Sequence, residues 1–263
     1  MEPQQNDGCG SDGSGLSIVV PAYNEARRLP GTLPRVIEYA SRLGEPAEII
    51  VVDDGSTDGT GDVAAAAARP GDPVMVLRSS PNRGKGAAVR QGMLAARFGH
   101  VLLTDVDLPT PIEETAKLRA ALARGADVAI GSRRLAESDV QVHQPWLREL
   151  AGLTFSGLVS VLLLPGIHDS QCGFKIFRRS IARELFGLQR LDGFGFDAEV
   201  LWLARRLGHR VTEVPIVWRD DNRSNIRLVR DSGRMLLDLG RVRLNGWTGR
   251  YALRRPRLAP PSR

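Results

Sequence analysis

The sequence predicts an α/β protein: one domain built on a doubly wound, mostly parallel sheet. Three observations carry this. Short apolar runs alternate with helical stretches, as βαβ units require. Acidic residues stand at the ends of those apolar runs, where an open sheet of this kind places its ligand. The 263 residues, 42% hydrophobic and 25% charged, suffice for one sizeable core and exclude a disordered or fibrous chain.

The elements follow in order. Leu16 to Val20 reads as the first strand, Glu25 to Leu43 as the first helix and Glu48 to Val52 as the second strand. Thr57 and Asp58 offer caps for a helix through Ala68; Val74 to Arg78 is a third strand and Lys85 to Phe98 a third helix. His100 to Thr104 returns to the sheet, a turn bounded by Pro109 and Pro111 opens a helix to about Ala123, and Asp127 to Gly131 is the next strand. The alternation then breaks. Residues 132–145 read as a loop, 146–164 as a helix, 173–177 as a short strand, 197–207 as a helix, Val211 to Val217 as a late strand and 226–243 as a final amphipathic helix. The chain divides into a disordered tail at 1–15, a domain at 16–245 and a basic tail at 246–263.

Charge is unevenly spread. The formal net charge is +6, yet positions 241–263 hold seven Arg and no acid, so the basicity belongs to the tail. Such a tail suits an anionic surface, with a plain solvated run as the alternative. Two cysteines are too few for a disulfide framework, and the first fifteen residues lack the basic start and apolar run of a secretory signal. A helix from Trp146 to Leu164 would be about 28 Å long, close to a hydrocarbon core's thickness. Gly152, Thr154, Ser156, Gly157 and Ser160 dilute it and Pro165 ends it, which argues for a helix lying on a membrane or packed in the core rather than a span.

Three strand ends carry the candidate chemistry. Asp53 and Asp54 close the second strand; adjacent side chains of an extended chain diverge, so one suits a base or ribose hydroxyl and the other the turn. Asp105 and Asp107 follow the fourth. Two apart in extended chain, they point to one side and would repel one another unless a hard divalent cation, Mg²⁺ or Mn²⁺, bridged them to a pyrophosphate. Between them Asn82-Arg83-Gly84-Lys85-Gly86 opens a helix with free N–H groups and a cation, suited to an anion, although it is no Walker loop.

Together these motifs resemble the inverting family-two glycosyltransferases of GT-A fold, and within them the polyprenyl-phosphate (dolichyl-phosphate) glucosyltransferase branch. Val20-Pro21-Ala22-Tyr23-Asn24-Glu25 is similar to the family's first nucleotide-contacting loop, Asp53 to Asp58 to its uracil and ribose element, Asp105-Val106-Asp107 to its metal motif and Gly131-Ser132-Arg133 to a strand-end signature whose Arg approaches the acceptor phosphate. Asp169-Ser170-Gln171-Cys172-Gly173-Phe174-Lys175-Ile176-Phe177, Phe196-Asp197-Ala198-Glu199 and Glu213 to Trp218 are the more specific matches, and the form of Phe196 to Glu199 leans to glucose over mannose.

The resemblance implies transfer of a hexose from a UDP-sugar to a polyprenyl monophosphate, with GDP-mannose or a soluble acceptor as alternatives. Pro21, Tyr23, Glu25, Asp53, Asp54, Lys85 and Asp105 would hold the nucleotide sugar, Asp105 and Asp107 the metal, and Arg133 and Arg148 the acceptor phosphate. Asp197 ranks first as base or sugar-binding residue, then Asp169; Glu199 would approach sugar hydroxyls or orient an arginine if Asp197 caps its helix. A phosphate monoester is largely ionised at neutral pH and needs little base help, and Cys172 is not needed as a nucleophile. The expected partner is the cytoplasmic face of a membrane, bound peripherally, and not nucleic acid. Arg223-Ser224-Asn225 replaces the branch's usual Gly-Ser-Lys, which puts the pyrophosphate contact of that lysine in question.

Overall fold

A computed structural model describes residues 14–142, 156–219 and 228–251. The chain runs β1 (Leu16–Ala22), α1 (Leu29–Arg42), β2 (Ala47–Asp54), α2 (Thr60–Ala67), β3 (Val74–Ser79), α3 (Lys85–Ala95), β4 (His100–Leu103), a 3-10 turn (Ile112–Glu114) leading into α4 (Thr115–Ala123), β5 (Val128–Ser132) and β6 (Asp139–Val142). Helix α5 (156–162) follows, then β7 (Lys175–Arg178), α6 (Arg179–Leu188), α7 (Phe196–Arg206), β8 (Val211–Pro215), β9 (Val217–Arg219) and α8 (Leu228–Trp247).

Seven strands form one sheet in the order β3-β2-β1-β4-β7-β5-β8, and β6 pairs with β9 in a small second sheet. All pairings of the large sheet are parallel except those of β7, which runs antiparallel to β4 and to β5. Alternate residues of the central strands enter opposite faces, so the near-continuous apolar runs of the sequence feed two cores. Ile18, Val20, Ile49, Val51 and Leu102 pack on the side of α1 and α4, while Val19, Ile50, Val52, Val101 and Leu103 pack on the side of α3, α6 and α7.

Three features depart from the sequence reading. Residues 132–145 contain β6, whose partner β9 lies 75 or more residues downstream and so leaves no local trace. The single strand expected at 211–217 is two, β8 and β9, divided at Ile216 as the chain changes sheets. Helix α6, with Ala182, Leu185 and Phe186 buried, was not anticipated. At the C-terminus packed chain continues past 245: α8 runs to Trp247, and buried Tyr251 packs against Trp202 with ring centres 5.7 Å apart and planes tilted by 45°. Of the tail expected at 1–15, residues 1–13 lie outside the described residues, as do the start of the 146–164 helix and residues 252–263, whereas Gly15 is buried and accepts from His100 N–H (3.2 Å) at the head of β1.

Candidate active site

The site grows from the point where the strand order reverses. β2 and β3 lie on one side of β1 and β4 on the other, so loops leaving β1 and β4 diverge and open a crevice at their carboxyl ends. The loop after β1 is fastened to the loop after β2. Asn24 N–H donates to Ser56 Oγ (2.9 Å), Thr57 N–H to Asn24 Oδ1 (2.9 Å), Glu25 N–H to Thr60 Oγ1 (2.8 Å) and Ala26 N–H to Asp58 Oδ2 (3.1 Å). Asn24 takes φ 56°, a left-handed turn that asparagine tolerates better than most residues. Pro21 is buried in β1 beside Val52, Tyr23 stands 45% exposed at the crevice, and Glu25 holds the Arg28 guanidinium.

The two adjacent aspartates divide their work as the diverging-side-chain argument requires. Asp54 is buried and accepts from Asn82 Nδ2 (2.9 Å), Arg83 N–H (3.0 Å) and Gly84 N–H (2.7 Å), so it is the acid that orders a turn, the one leading into α3. Its oxygens are thereby engaged with the turn at 82–84, while among the described residues no hydrogen bond of this kind ties it to the loop after β1. Asp53 takes one hydrogen bond, from Ser56 N–H (3.0 Å), and packs over Gly61.

Asp105 and Asp107 do not lie in extended chain. β4 ends at Leu103, and residues 105–108 form a turn closed by Leu108 N–H to Asp105 C=O (3.2 Å), with Leu108 at φ 47°. The two carboxylates nevertheless act on one another. Burial, and then the charge of Asp105, push the Asp107 carboxyl up to about 6. Burial also works against ionised Asp105, but Lys85, Lys175 and Arg133 outweigh it and hold that carboxyl below its ordinary value. Lys85 Nζ lies 2.7 Å from Asp105 Oδ1. Burial disfavours this ammonium, and Asp105 and Asp197 more than compensate, raising its pKa. Two mutually repelling hard-oxygen donors, with an ammonium already drawn to one of them, fit a divalent cation completed by phosphate and water oxygens. Among the described residues no group of three or more acidic, Cys or His side chains forms a fuller ligand set.

The antiparallel direction of β7 explains the second half of the site. Its amino end meets the edge where β4 and β5 present their carboxyl ends, so the segment 169–174 enters beside both. Gly173 is in contact with the acidic turn: a Cβ there would lie 1.9 Å from Asp105 Oδ2. Asp169 is fully buried and receives Arg133 Nε and Nη2 at 2.7 Å each, plus Arg133 N–H at 2.9 Å. Burial opposes its charge, but Arg133 prevails and the carboxyl stays below its ordinary value. The guanidinium also lies 5.2 Å from the centre of the Trp218 ring. Asp169 thus holds an arginine in place and has its oxygens committed to it.

Asp197 and Glu199 separate. Two residues apart on a helix are about 200° apart around its axis, so they face opposite ways. Asp197, in the first turn of α7 with Gly195 as N-cap, does not cap the helix; its carboxylate pairs with the Lys175 ammonium, both groups buried. Burial raises the Asp197 pKa, against the pull of Lys175 and Lys85. Glu199 instead accepts from Arg190 N–H (3.0 Å), Leu191 N–H (2.9 Å) and Tyr251 Oη (2.7 Å), which ties the loop before α7 to the C-terminal chain. The expectation that Glu199 meets sugar or arginine side chains is therefore corrected. Arg148 and the 223–225 segment lie outside the described residues. Lys175 and Trp218 were not singled out by function in the sequence; a lysine between Phe174 and Ile176 in an apolar strand was the available signal.

Comparison with known proteins agrees with this geometry. The family model described as Glycosyl transferase family 2 matches residues 17–186. A dolichyl-phosphate beta-glucosyltransferase of Trichomonas vaginalis is 36% identical over 249 residues, 89% of this chain and 75% of its own. That of Drosophila melanogaster is 38% identical over 224 residues, 80% of this chain and 69% of its own. Among solved structures, glucosyl-3-phosphoglycerate synthase from Mycobacterium tuberculosis in complex with Mn²⁺, UDP-glucose and phosphoglyceric acid superposes with a TM-score of 0.63 at 23% identity, covering 88% of this chain and 80% of that one. Its likeness establishes the GT-A fold.

Proposed function

Since the chain belongs to glycosyl transferase family 2, we propose that it transfers glucose from UDP-glucose to a polyprenyl monophosphate of the dolichyl type, inverting the sugar to a β-linked lipid phosphate. The observation that carries this reading is the meeting of Asp105 and Lys85 with Arg133 across β7: one group suits a donor diphosphate, the other an acceptor phosphate, and their charges already act on each other. The named activity of the relatives supplies the sugar and the lipid.

On this reading the loop 21–25 and Asp53 receive the nucleoside, and Lys85 lies along the diphosphate. Mg²⁺ or Mn²⁺ held by Asp105 and Asp107 would supply charge neutralisation on the leaving UDP. Arg133, with Nε and Nη2 fixed by Asp169, has Nη1 left to bind acceptor phosphate and aim its oxygen at the anomeric carbon. That oxygen is already anionic near neutral pH, so Asp197 serves to hold sugar hydroxyls more than to remove a proton.

A lipid-borne acceptor requires docking. Among the described residues no helix is long and apolar enough to cross a membrane. Helices α5 and α8 are joined by Arg243 Nε to Leu162 C=O (2.9 Å) and leave Leu158, Val161, Leu162, Leu237, Leu244 and Trp247 exposed. The amphipathic helix α8, the apolar surface of α5 and the Arg-rich residues 241–263 support peripheral membrane binding, proposed here at the cytoplasmic face. Purified protein offered UDP- and GDP-sugars, Mg²⁺ or Mn²⁺ and polyprenyl phosphate in anionic vesicles is expected to form glucosyl lipid from UDP-glucose alone. Preference for GDP-mannose, or turnover on a water-soluble acceptor but not on the lipid, overturns the assignment.

A further inference from the structure

Lys175 is one of three lysines in a chain with 33 arginines, and it is the most deeply placed cation of the site, 2% exposed. As the first residue of β7 it pairs in register with Leu103 at the end of β4 and with Ile130 of β5, so it stands between the acidic turn and the arginine-bearing strand end. Its ammonium donates to the Cys172 carbonyl and to Asp197. The first contact pins the nitrogen to the backbone; the second directs a carboxylate 22 positions away on another element. Burying such a pair brings no dependable stability, because the desolvation of two ions offsets their attraction and apolar residues of similar volume serve as well or better. A buried pair beside the acidic turn of a reactive crevice calls for a functional reason.

We infer that Lys175 is a positioning residue for the transfer reaction, holding the Asp197 carboxylate toward the sugar. This deepens the proposed function and rests on it. The groups facing Asp197 are Lys175 from β7, Lys85 from α3 and Asp105 from the turn after β4. Lys85 is drawn to Asp105 at 2.7 Å, so Lys175 is the cation bonded to Asp197 among the described residues. Without it the carboxylate loses its anchor, and a displacement of about 1 Å costs on the order of 10²-fold in rate.

The test is a double-mutant cycle of Lys175→Met and Asp197→Asn, with UDP-glucose and polyprenyl phosphate as substrates. Lys175→Met is expected to lower kcat about 10²-fold while KM for UDP-glucose stays within about threefold, since a displaced carboxylate misorients the bound sugar and leaves the nucleotide contacts in place. The double variant is expected to match Asp197→Asn alone within about threefold, because a residue acting through another adds nothing once that other is gone. Folded Lys175→Met with wild-type kcat overturns the inference, as does a double variant at least about tenfold worse than Asp197→Asn. If Lys175→Met does not fold, the comparison of the double variant with Asp197→Asn still decides. If the wild-type protein turns over none of the substrates, the proposed function falls. The inference is then read from crystal structures of Lys175→Met or, if that variant does not fold, of the double variant: residue 197 left in place overturns it, and residue 197 swung away supports it.

Discussion

Replacing Gly173 by alanine adds one carbon at the most crowded contact of the site. A Cβ would lie 1.9 Å from Asp105 Oδ2, 2.6 Å from Cγ and 2.9 Å from Oδ1. Separations below 3.0 Å essentially never occur, so the gap must open by at least 3.0 − 1.9 = 1.1 Å. Asp105 cannot yield freely, because Lys85 holds its other oxygen at 2.7 Å. A shift of this size in a carboxylate expected to hold a metal is worth about 10²-fold in kcat/KM, or about 2.7 kcal/mol of transition-state stabilisation. Overpacking should also lower stability by about 1 to 3 kcal/mol. The assay is glucosyl transfer per mole of folded protein, with thermal melting alongside. Gly187→Ala is the control: exposed near the end of α6, its added carbon meets nothing within 4 Å, and alanine there should stabilise by about 0.5 to 1 kcal/mol without touching the rate. A Gly173→Ala protein within threefold of wild type would refute the claim that this contact sets the position of Asp105.

Other perturbations separate the groups of the site. Asp107→Ala should reduce turnover by at least about 10²-fold and abolish any rise in melting temperature produced by Mn²⁺ plus UDP, with the metal-free fold intact. Arg133→Lys keeps the charge but not the two-point grip on Asp169 or the contact with Trp218, so acceptor KM should rise about tenfold while donor KM holds. Glu199→Gln should cost about 1 to 3 kcal/mol in a denaturant melt and leave kcat of the folded fraction unchanged, because Glu199 serves the loop at 190–191 and Tyr251. Burial pushes the Cys172 thiol from 9.0 up to about 12. A raised thiol pKa means its stabilising contribution is whole below pH 9 and lost as pH climbs toward 12, at up to about 1.4 kcal/mol per unit. Melting curves from pH 8 to 11 should therefore fall more steeply for wild type than for Cys172→Ala, and Cys172 in folded protein should resist iodoacetamide at pH 8.

The first half of the fold was legible because its signals are local: apolar runs of strand length, prolines opening α4, glycines before α3 and acids where strands stop all sit within a few residues of the feature they announce. The same locality explains why β6 was missed and why β8 and β9 were joined, for neither sheet membership nor a change of sheet alters the alternation of a four-residue strand. Strand-end position drew attention to Asp53, Asp54, Asp105 and Asp107 together. It did not say that Asp54 would be consumed by the loop at 82–84, 28 to 30 residues away, nor that a turn rather than extended chain would bring Asp105 and Asp107 together.

What the amino-acid order determined alone was the inventory: which charges exist, which strand ends carry them, and hence that a phosphate-bearing donor suits the crevice. Which charges neutralise one another was decided by tertiary structure. Arg133 finds Asp169 across 36 residues and Lys175 finds Asp197 across 22 because β7 turns antiparallel between β4 and β5. The physical reason is that electrostatic energy depends on separation in space and on burial, and a strand's direction sets both at distances that no sequence period records.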